Sequence, residues 1–546
     1  MAVPHHARRR QLLSRIGDRF EGSVPTSPVG RRAQRARLAE QQVREVLEVA
    51  VRFGEGMLSL GATAAASVEV IRRTCESFGV PVQVDITFTA ILVAHDGVDV
   101  GTVSVLRVVH SRAANYHRLS RLATLAHDVQ TAPRALEVAH ALDDPAAREA
   151  VQHRLERTHA SLDEVLGAPH RYRPAVVTAS LALMAASVAV LLGGGVPVVL
   201  LSAATTAAVD LVLRRLGSWG LPSFFLQAAG AAMATTVAVA LLALPGLPVS
   251  LAALPPSLVV ASGIIALLAG LSLVGAADDA INGFLVTASG RLLEVLLLTL
   301  GLVVGIGGVL DVANRLGVQL VISDTSAAPW PLAVQVVAAA AASGAWAASS
   351  FAGPRAAAQA AAWGALGYVV SALLVGAGAA AAVGAALAAL VVGYGAESLA
   401  LRTRVPAAVT ATCAIVPLLP GLTIYQGLFA MISDAPPGTG GGLLLRAGMI
   451  GVGLAAGTTL GTTLAGRARA ARRRRPADAA APRRRLRPLR RPAGQSSEPP
   501  AQLTRAPSTS STPTSSPSAA DTGPVGASGS SERASLRDSH VLVCLS

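Results

Sequence analysis

Residues 405–432 read VPAAVTATCAIVPLLPGLTIYQGLFAMI, a run of 28 residues without a charged side chain. A helix of that length would extend about 42 Å, which exceeds the roughly 30 Å of hydrocarbon in a bilayer. Pro417 and Pro420 each lack a backbone N–H, so the carbonyls of Cys413 and Val416 lose their usual helical partners. Such carbonyls are tolerated at membrane depth only inside protein or beside a wet cavity. The run therefore predicts a broken membrane span, and a proline kink without a ligand stays open as the alternative.

Nine more apolar runs flank this stretch, and a membrane helix needs roughly 20 such residues. Breaks at proline, glycine and charged residues divide the ten runs into two sets of five. The predicted spans lie near 174–193, 196–213, 222–244, 258–274 and 292–310, and then near 331–350, 356–375, 378–396, 405–432 and 443–465. Several are rich in Ala and Gly, which lets membrane helices pack closely. We therefore expect an α-helical polytopic membrane protein with about ten transmembrane helices in two five-helix halves.

The charges divide the chain into three parts. Residues 1–173 hold 23 Arg against 19 Asp and Glu, residues 174–465 hold 8 against 8, and residues 466–546 hold 15 against 5. Most of the net charge of +14 therefore lies in the last part, which is rich in Arg, Ser and Pro and has a disordered composition. We expect no nucleic-acid partner from this distribution, whereas the arginine runs of the tail suit contact with membrane lipids.

The composition shifts predict six segments. In chain order these are a disordered basic N-terminus at 1–37, a small cytoplasmic α+β domain at 38–173, the first membrane half at 174–310, an extracytoplasmic loop at 311–330, the second membrane half at 331–465 and a disordered basic C-terminal tail at 466–546.

The arginines of the short loops predict the orientation. With the N-terminus inside, the inside loops hold six of them, namely Arg214, Arg215, Arg291, Arg355, Arg402 and Arg404. The outside loops then hold only Arg315 and Arg446. Both termini are therefore expected in the cytoplasm. Every basic residue is Arg and none is Lys, a codon bias typical of a GC-rich bacterium, so the expected location is a bacterial plasma (inner) membrane.

Each half also carries an unusual segment after its fourth apolar run. Helices interrupted at matching places in two repeats are typical of transporters, where the free backbone groups contact the solute. The candidate substrate-binding residues are Gly275, Asp278, Asp279 and Asn282 in the first half, and Pro417, Pro420, Gly421, Tyr425 and Gln426 in the second. A solvated loop remains an equal alternative for the two aspartates. Since no charge lies at the centre of a span, a zwitterionic or neutral solute is favoured.

The region before the spans predicts a mixed fold. We expect helices at 38–60, 63–78, 116–130, 133–142 and 145–167, and two strands at 82–94 and 100–110. Its histidines are scattered without ligand spacing, and Cys75, Cys413 and Cys544 lie far apart. No nucleophile motif, P-loop or dinucleotide fingerprint is present. We therefore expect no catalytic residues, no metal and no cofactor.

Three groups of motifs resemble a known family over roughly residues 40–465. They are Gly61-Ala62-Thr63 with Glu69, Phe78-Gly79 and Val84-Asp85-Ile86-Thr87-Phe88-Thr89; Asp279-Ala280-Ile281-Asn282-Gly283 with Arg291-Leu292-Leu293-Glu294; and Val416-Pro417-Leu418-Leu419-Pro420-Gly421 with Ile424-Tyr425. Together they resemble the threonine/serine exporters of bacteria. The resemblance implies a cytoplasmic domain fused to a ten-span carrier that exports small hydroxylated amino acids, with Gly61, Glu69, Asp85, Thr87 and Thr89 as the motif of the soluble domain. Val274-Gly275 stands where some members have Pro-Gly.

The predicted function is a secondary transporter that exports threonine, serine or a similar small amino acid. Its driving force would be an ion gradient, with the proton as the expected coupling ion. A homo-oligomer is left open. Two alternatives remain at this point: a membrane-anchored enzyme that acts through residues 38–167, and a scaffold without transport activity.

Overall fold

A computed structural model describes residues 29–97, 101–109, 113–131, 144–243, 260, 262–263, 267, 270–318, 330–432, 436 and 438–480. The N-terminal region consists of α1 (Val29–Ser59), α2 (Ala64–Glu76), β1 (Gln83–Ile86), β2 (Ala90–Gly97), β3 (Gly101–Val108), α3 (Tyr116–Gln130) and α4 (Pro145–Gly167). The membrane bundle follows as α5 (Pro174–Leu191), α6 (Val196–Gly217), α7 (Ser223–Ala243), α8 (Gly270–Ile281), α9 (Leu285–Arg315), α10 (Leu332–Ser349), α11 (Pro354–Gly376), α12 (Ala381–Thr403), α13 (Ala407–Ala414), α14 (Gly421–Ile432) and α15 (Thr439–Ala480).

The sheet of the N-terminal region differs from the prediction. Three antiparallel strands form in the order β1-β2-β3, whereas two strands were expected, because residues 82–94 fold back on themselves. The turn is stabilised at Thr87, whose N–H donates to the Ala90 carbonyl at 2.9 Å and whose hydroxyl accepts from the Ala90 N–H at 3.1 Å. A threonine hydroxyl that bonds nearby backbone favours such a turn over a continued strand. The helix predicted at 133–142 lies outside the described residues.

Helix caps follow from the sequence of the N-terminal region. Thr63 begins α2 with its hydroxyl accepting from Ala66 N–H at 3.3 Å, and Asn115 begins α3 by accepting from Arg118 N–H at 3.1 Å. Both side chains satisfy N–H groups that a helix cannot pair internally. Behind the caps lies an apolar core to which α1, α2, the sheet, α3 and α4 all contribute.

The membrane bundle matches the apolar pattern. Within the described residues, eight helices are long and apolar enough to cross a membrane, or nine if α13 and α14 are counted as one span. These two are bent by 53° at the predicted break, with a 3₁₀ turn at Val416–Leu418 between them. The chain is thus a multi-pass membrane protein. The predicted span at 258–274 lies largely outside the described residues, so the count of ten remains a prediction.

Two helices exceed their predicted limits. α9 covers 31 residues and reaches Arg315, beyond the expected end at 310. α15 covers 42 residues and runs to Ala480, so residues 466–480 are helical and not the start of a disordered tail. Arginine and alanine are strong helix formers, which favours this extension. α1 likewise begins at Val29, inside the segment predicted as disordered, while residues 1–28 and 481–546 lie outside the described residues.

Glycines of α9 and α15 bring two helix pairs into close contact. α9 packs against α7, and α15 packs against α12. A Cβ at Gly301 would lie 2.7 Å from the carbonyl oxygen of Phe224, and one at Gly453 would lie 2.8 Å from that of Ala382. Only glycine allows backbones to approach so closely, which is how small residues spaced four apart join membrane helices. Close glycine contacts therefore join the third and fifth helices in both of the predicted sets.

Other contacts repeat in the same way. α8 packs against α15, while α14 packs against α9. The short helix before the last span of each predicted set, α8 or α14, therefore contacts the long last helix of the other set. α5 packs against α10, the first helix of the second set.

Candidate functional site

Two cavities lie beside the segments singled out by the sequence. The larger, with a volume of about 540 Å³, is bounded by the N-terminal region and by α8, α9, α12, α13 and α15. The smaller, of about 160 Å³, lies against the bend between α13 and α14. We call them the polar cavity and the bend cavity. Leu271 lines both, so its side chain belongs to the wall that separates them.

The first half supplies the charged wall of the polar cavity. Gly275 and Asp278 lie on α8, Asn282 follows directly after its last residue, and Arg291 and Glu294 come from the first turns of α9. The Asn282 amide donates to the Asp278 carbonyl at 2.8 Å and to its carboxylate at 3.3 Å. Three of the predicted site residues are thus brought to one cavity.

Arg291 is held in place from three sides. Its Nε lies 3.2 Å from Oδ2 of the fully buried Asp279, and its Nη2 donates to the Ala62 carbonyl at 3.2 Å. A Cβ at Gly275 would lie 2.8 Å from Nη1. The guanidinium therefore leaves no room for a residue larger than glycine at position 275. The interruption predicted for this segment lies at its end and not at Gly275, since α8 continues through Gly275 to Ile281 and the chain turns at Gly283, where φ is +88°.

Asp279 does not line the polar cavity and instead joins two parts of the chain. Its Oδ1 accepts from the Ala64 N–H at 3.0 Å, at the start of α2, while Oδ2 faces Arg291. A carboxylate at a helix N-terminus pairs with free N–H groups and with the positive end of the helix dipole. Asp279 therefore fixes the N-terminal region to the membrane bundle.

The second half supplies hydroxyls. Thr458, Thr459, Thr462 and Thr463 line the cavity from α15. Their spacing places them on one face of the helix. Each donates to a backbone carbonyl of the preceding turn, as Thr463 does to Thr459 at 2.7 Å, and Thr459 also contacts the Asp278 carboxylate. Glu397 of α12 lines the same cavity and pairs with Arg469 at 2.6 Å.

The N-terminal region closes one side of the polar cavity. Gly61, Thr63 and Tyr116 contribute to its lining, and Gly61 adopts φ +98°, a conformation that favours glycine. Burial raises the pKa of the Tyr116 phenol far above its usual range, so this hydroxyl stays neutral. Gly61 is the one residue of the predicted soluble-domain motif that reaches this cavity.

The remaining motif residues serve the N-terminal region itself or its docking. Glu69 pairs with Arg72 and Arg73 on its own helix, at 2.6 and 2.5 Å. Asp85 lies in β1 opposite Leu92, and the Thr89 carbonyl accepts from Val109 N–H at 2.7 Å.

The turn between β1 and β2 docks on the first turn and a half of α9. The buried Thr287 hydroxyl donates to the Ile86 carbonyl at 2.9 Å. A Cβ at Gly290 would lie 2.7 Å from the Phe88 side chain. Ile86 and Phe88 thus join the N-terminal region to the membrane bundle at a second point, beside the Asp279 contact.

The bend residues line the other, more apolar cavity. Pro417, Pro420 and Gly421 lie there with Met184 and Trp346. The Val416 carbonyl, for which the sequence predicts the loss of its usual helical partner, accepts instead from Leu419 N–H at 3.2 Å in the 3₁₀ turn. The i→i+3 hydrogen bonds of such a turn pair backbone carbonyls that the prolines leave without an α-helical partner.

Tyr425 and Gln426 line neither of these two cavities. The ring of Tyr425 is buried with Phe429 among side chains of α6, α7 and α9.

The sequence analysis did not identify several residues that line the polar cavity. Arg291 and Glu294 are three positions apart on α9, but Arg291 pairs with Asp279 of α8. On α6, Asp210 pairs with Arg214 at 2.5 Å. Four threonines in the stretch TTLGTT at 458–463 were a usable signal, because hydroxyls at helical spacing inside an apolar span form a polar stripe.

A bundle of apolar helices around a polar cavity of solute size is the architecture of a membrane transporter. Residues 48–313 match the family described as putative threonine/serine exporter, and residues 335–464 match the one described as Threonine/Serine exporter, ThrE. The chain is 33% identical over 451 residues to a probable threonine/serine exporter of Mycobacterium tuberculosis, covering 81% of this chain and 80% of that protein. It is also 33% identical over 409 residues to a threonine/serine exporter of Corynebacterium glutamicum, covering 72% and 77%. The chain belongs to the threonine/serine exporter family. No solved structure matches it.

Proposed function

We propose that this protein exports threonine, serine or a similar small amino acid, and that the polar cavity is its substrate site. The observation that carries the proposal is the lining of this cavity: both sets of helices and the N-terminal region meet there, and they present an arginine, carboxylates and hydroxyls together. Its volume of about 540 Å³ accommodates an amino acid with some water. The names of the relatives support the substrate class.

The lining complements the groups of a hydroxylated amino acid. In the proposed complex the Arg291 guanidinium receives the substrate carboxylate through the N–H groups that Asp279 and the Ala62 carbonyl do not use, because charge-assisted hydrogen bonds to a carboxylate are strong. The carboxylate of Asp278 receives the ammonium group. Thr458, Thr462 and Thr463 of α15 already donate to their own backbone, so their oxygens accept a hydrogen bond from the substrate hydroxyl.

Coupling to an ion gradient is part of the proposal. Asp278 is the candidate proton carrier, since it is a carboxylate within the bundle that contacts Thr459 of the other set and Asn282, which follows its own helix. Carboxylates inside a membrane are costly and commonly mark proton pathways. Protonation of Asp278 would remove the charge that holds the ammonium group.

The bend cavity would continue the pathway. Leu271 forms part of the wall between the two cavities, and Pro417, Pro420 and Gly421 line the second. The repeated contacts of α8 with α15 and of α14 with α9 support two structurally related halves. We infer that these halves move against each other and carry the solute past Leu271.

The proposed location is the plasma membrane of a bacterium, with both termini and the N-terminal region in the cytoplasm. The excess of arginine in the loops on that side supports this orientation. The polar cavity would then receive its substrate at the cytoplasmic side.

Threonine efflux from cells preloaded with a threonine dipeptide tests the proposal. Asp278→Asn keeps the shape of the side chain and removes its charge, so efflux should fall about tenfold or more at unchanged membrane abundance. Asp311→Asn is the matched control, because Asp311 is exposed and pairs with Arg315 at the other end of α9. Normal efflux by the Asp278 variant would show that the polar cavity is not the substrate site.

A further inference from the structure

A second charged cleft lies where the N-terminal region meets the ends of two membrane helices. Its volume is about 690 Å³, and it shares no lining residue with the polar cavity. Four arginines line it from four segments of the chain, namely Arg121 of α3, Arg171 before α5, Arg355 in the first turn of α11 and Arg404 after α12. We call it the arginine cleft.

The cleft carries more positive charge than its own acids compensate. Arg121 pairs with Glu164 at 2.7 Å, and Asp128 is the other acid among the described residues of the lining. Within the part of the chain that the structure describes, no acidic side chain lies within 4.0 Å of Arg355 or Arg404. Arginines collected without matching acids create a positive potential that attracts anions.

Two neighbouring residues, His117 and Arg404, also show the effect of their position at the cleft. Burial lowers the pKa of His117, and the charges of Arg171 and Arg121 lower it further. Arg404 has φ +56°, a left-handed conformation that is uncommon for a residue other than glycine. Such backbone strain concentrates at functional sites, because the surrounding structure has to maintain it.

The position of the cleft suggests which anion it meets. Arg355 follows the first residue of α11 and Arg404 follows the last residue of α12, so both lie at the ends of spanning helices. Lipid headgroups lie at this level of a membrane. Basic pockets between membrane helices bind phosphate-bearing headgroups, and guanidinium groups suit phosphate oxygens. The Ser161 hydroxyl in the same lining adds a hydrogen-bond donor, whereas the hydroxyls of Ser120 and Thr124 already donate to the carbonyls of Tyr116 and Ser120.

We propose that the arginine cleft binds the phosphate of an anionic phospholipid headgroup. A free phosphate ion offers the same chemistry, but the cleft lies at the ends of two spans, which is the level of the lipid headgroups. Bound lipid would connect α3 and α4 with the ends of α11 and α12. This proposal does not depend on the transported substrate.

Native mass spectrometry of the purified full chain tests it. The protein should retain phosphatidylglycerol about tenfold better than phosphatidylcholine with the same acyl chains. The double variant Arg355→Gln/Arg404→Asn should lose this preference; asparagine is chosen at 404 because it tolerates a left-handed backbone. Arg215→Gln is the matched control, since Arg215 is exposed at the end of α6 and outside the cleft, and it should behave as the unaltered protein.

Equal retention of the two lipids by the unaltered protein would overturn the proposal, as would an unchanged preference in the double variant. If the double variant fails to fold, Arg355→Gln alone decides in the same way.

A second experiment measures the thermal stability of the protein with inorganic phosphate. One outcome is that phosphate stabilises the unaltered protein as much as phosphatidylglycerol does and fails to stabilise the same variants. That result would show a soluble phosphate site and overturn the lipid assignment. Export is not measured, so failure here leaves the substrate proposal untouched.

Discussion

Single residues of this protein carry roles that their neighbours in space define. Gly275 is small because the Arg291 guanidinium lies against it, and Asp279 is buried because it joins Ala64 N–H to Arg291. The adjacent Asp278 faces the polar cavity. Two consecutive aspartates on one helix therefore have different tasks, one of them docking and the other, as proposed, substrate and proton binding.

Thr459 tests the hydroxyl stripe of α15. Thr459→Val keeps the size of the side chain and removes the donor to Asp278, and a hydrogen bond to a charged group contributes about 1.5–3 kcal/mol. We expect threonine efflux to fall about tenfold while membrane abundance holds. Thr236→Val is the control, because its exposed hydroxyl donates to the Ala232 carbonyl at 2.8 Å and does not line the polar cavity. Equal efflux by the two variants would remove Thr459 from the site.

At the scale of the element, glycine spacing sets how closely helices approach. A side chain at Gly457 would meet the backbone of Ala386, whereas Gly448 on the same helix has open space around it. Overpacking costs typically 1–3 kcal/mol, so Gly457→Leu should lower the midpoint of thermal unfolding and the membrane abundance. Gly448→Leu should change neither, although both variants add the same side chain to α15. Matching melting curves would show that the α12–α15 contact tolerates separation.

The bend between α13 and α14 supports a second prediction at this scale. Pro417→Ala/Pro420→Ala should favour a continuous helix, since proline is about 3 kcal/mol worse than alanine in a helix interior. Straightening the 53° bend would move α14 out of the apolar cluster in which it packs against α6, α7 and α9. Efflux should collapse in this variant while abundance holds. Pro197→Ala, in the first turn of α6 where proline costs little, is the control. Near-normal export by the double variant would exclude a role for the bend.

At the scale of the whole molecule, the N-terminal region and the membrane bundle share one apolar core. Side chains of α1 and α3 belong to the same cluster as Ala347, Val409 and Cys413. Tyr116 N–H donates to the Ser350 carbonyl at 2.9 Å, and the Tyr172 hydroxyl donates to that of Ala352 at 2.9 Å. The N-terminal region is therefore part of the proposed substrate site and not a separate appendage.

A compensating pair tests this docking. Gly290→Leu should push the Phe88 side chain out of place, raise the protease sensitivity of the N-terminal region and lower efflux. Adding Phe88→Ala should restore both, because it vacates the space that the new side chain needs. Gly308→Leu on the same helix, with nothing within 4 Å, is the control. Failure of Phe88→Ala to rescue the Gly290 variant would contradict the docking contact.

The sequence alone determined the class of this protein. Long apolar runs without charges must cross a membrane, two prolines must interrupt a helix, and the motifs from Gly61 to Tyr425 indicate the family. All of these signals are local, because hydropathy and missing N–H groups act within one segment of chain.

Only the tertiary structure decided where the chemistry converges. Asp279 and Ala64 are separated by 215 positions, and Asp278 and Thr459 by 181, so no local pattern relates them. The same holds for Arg291, whose partner lies on the preceding helix, and for the turn at Thr87 that divides one predicted strand into two. A buried charge or a polar stripe is stable only beside a partner, and folding alone selects that partner from distant parts of the chain.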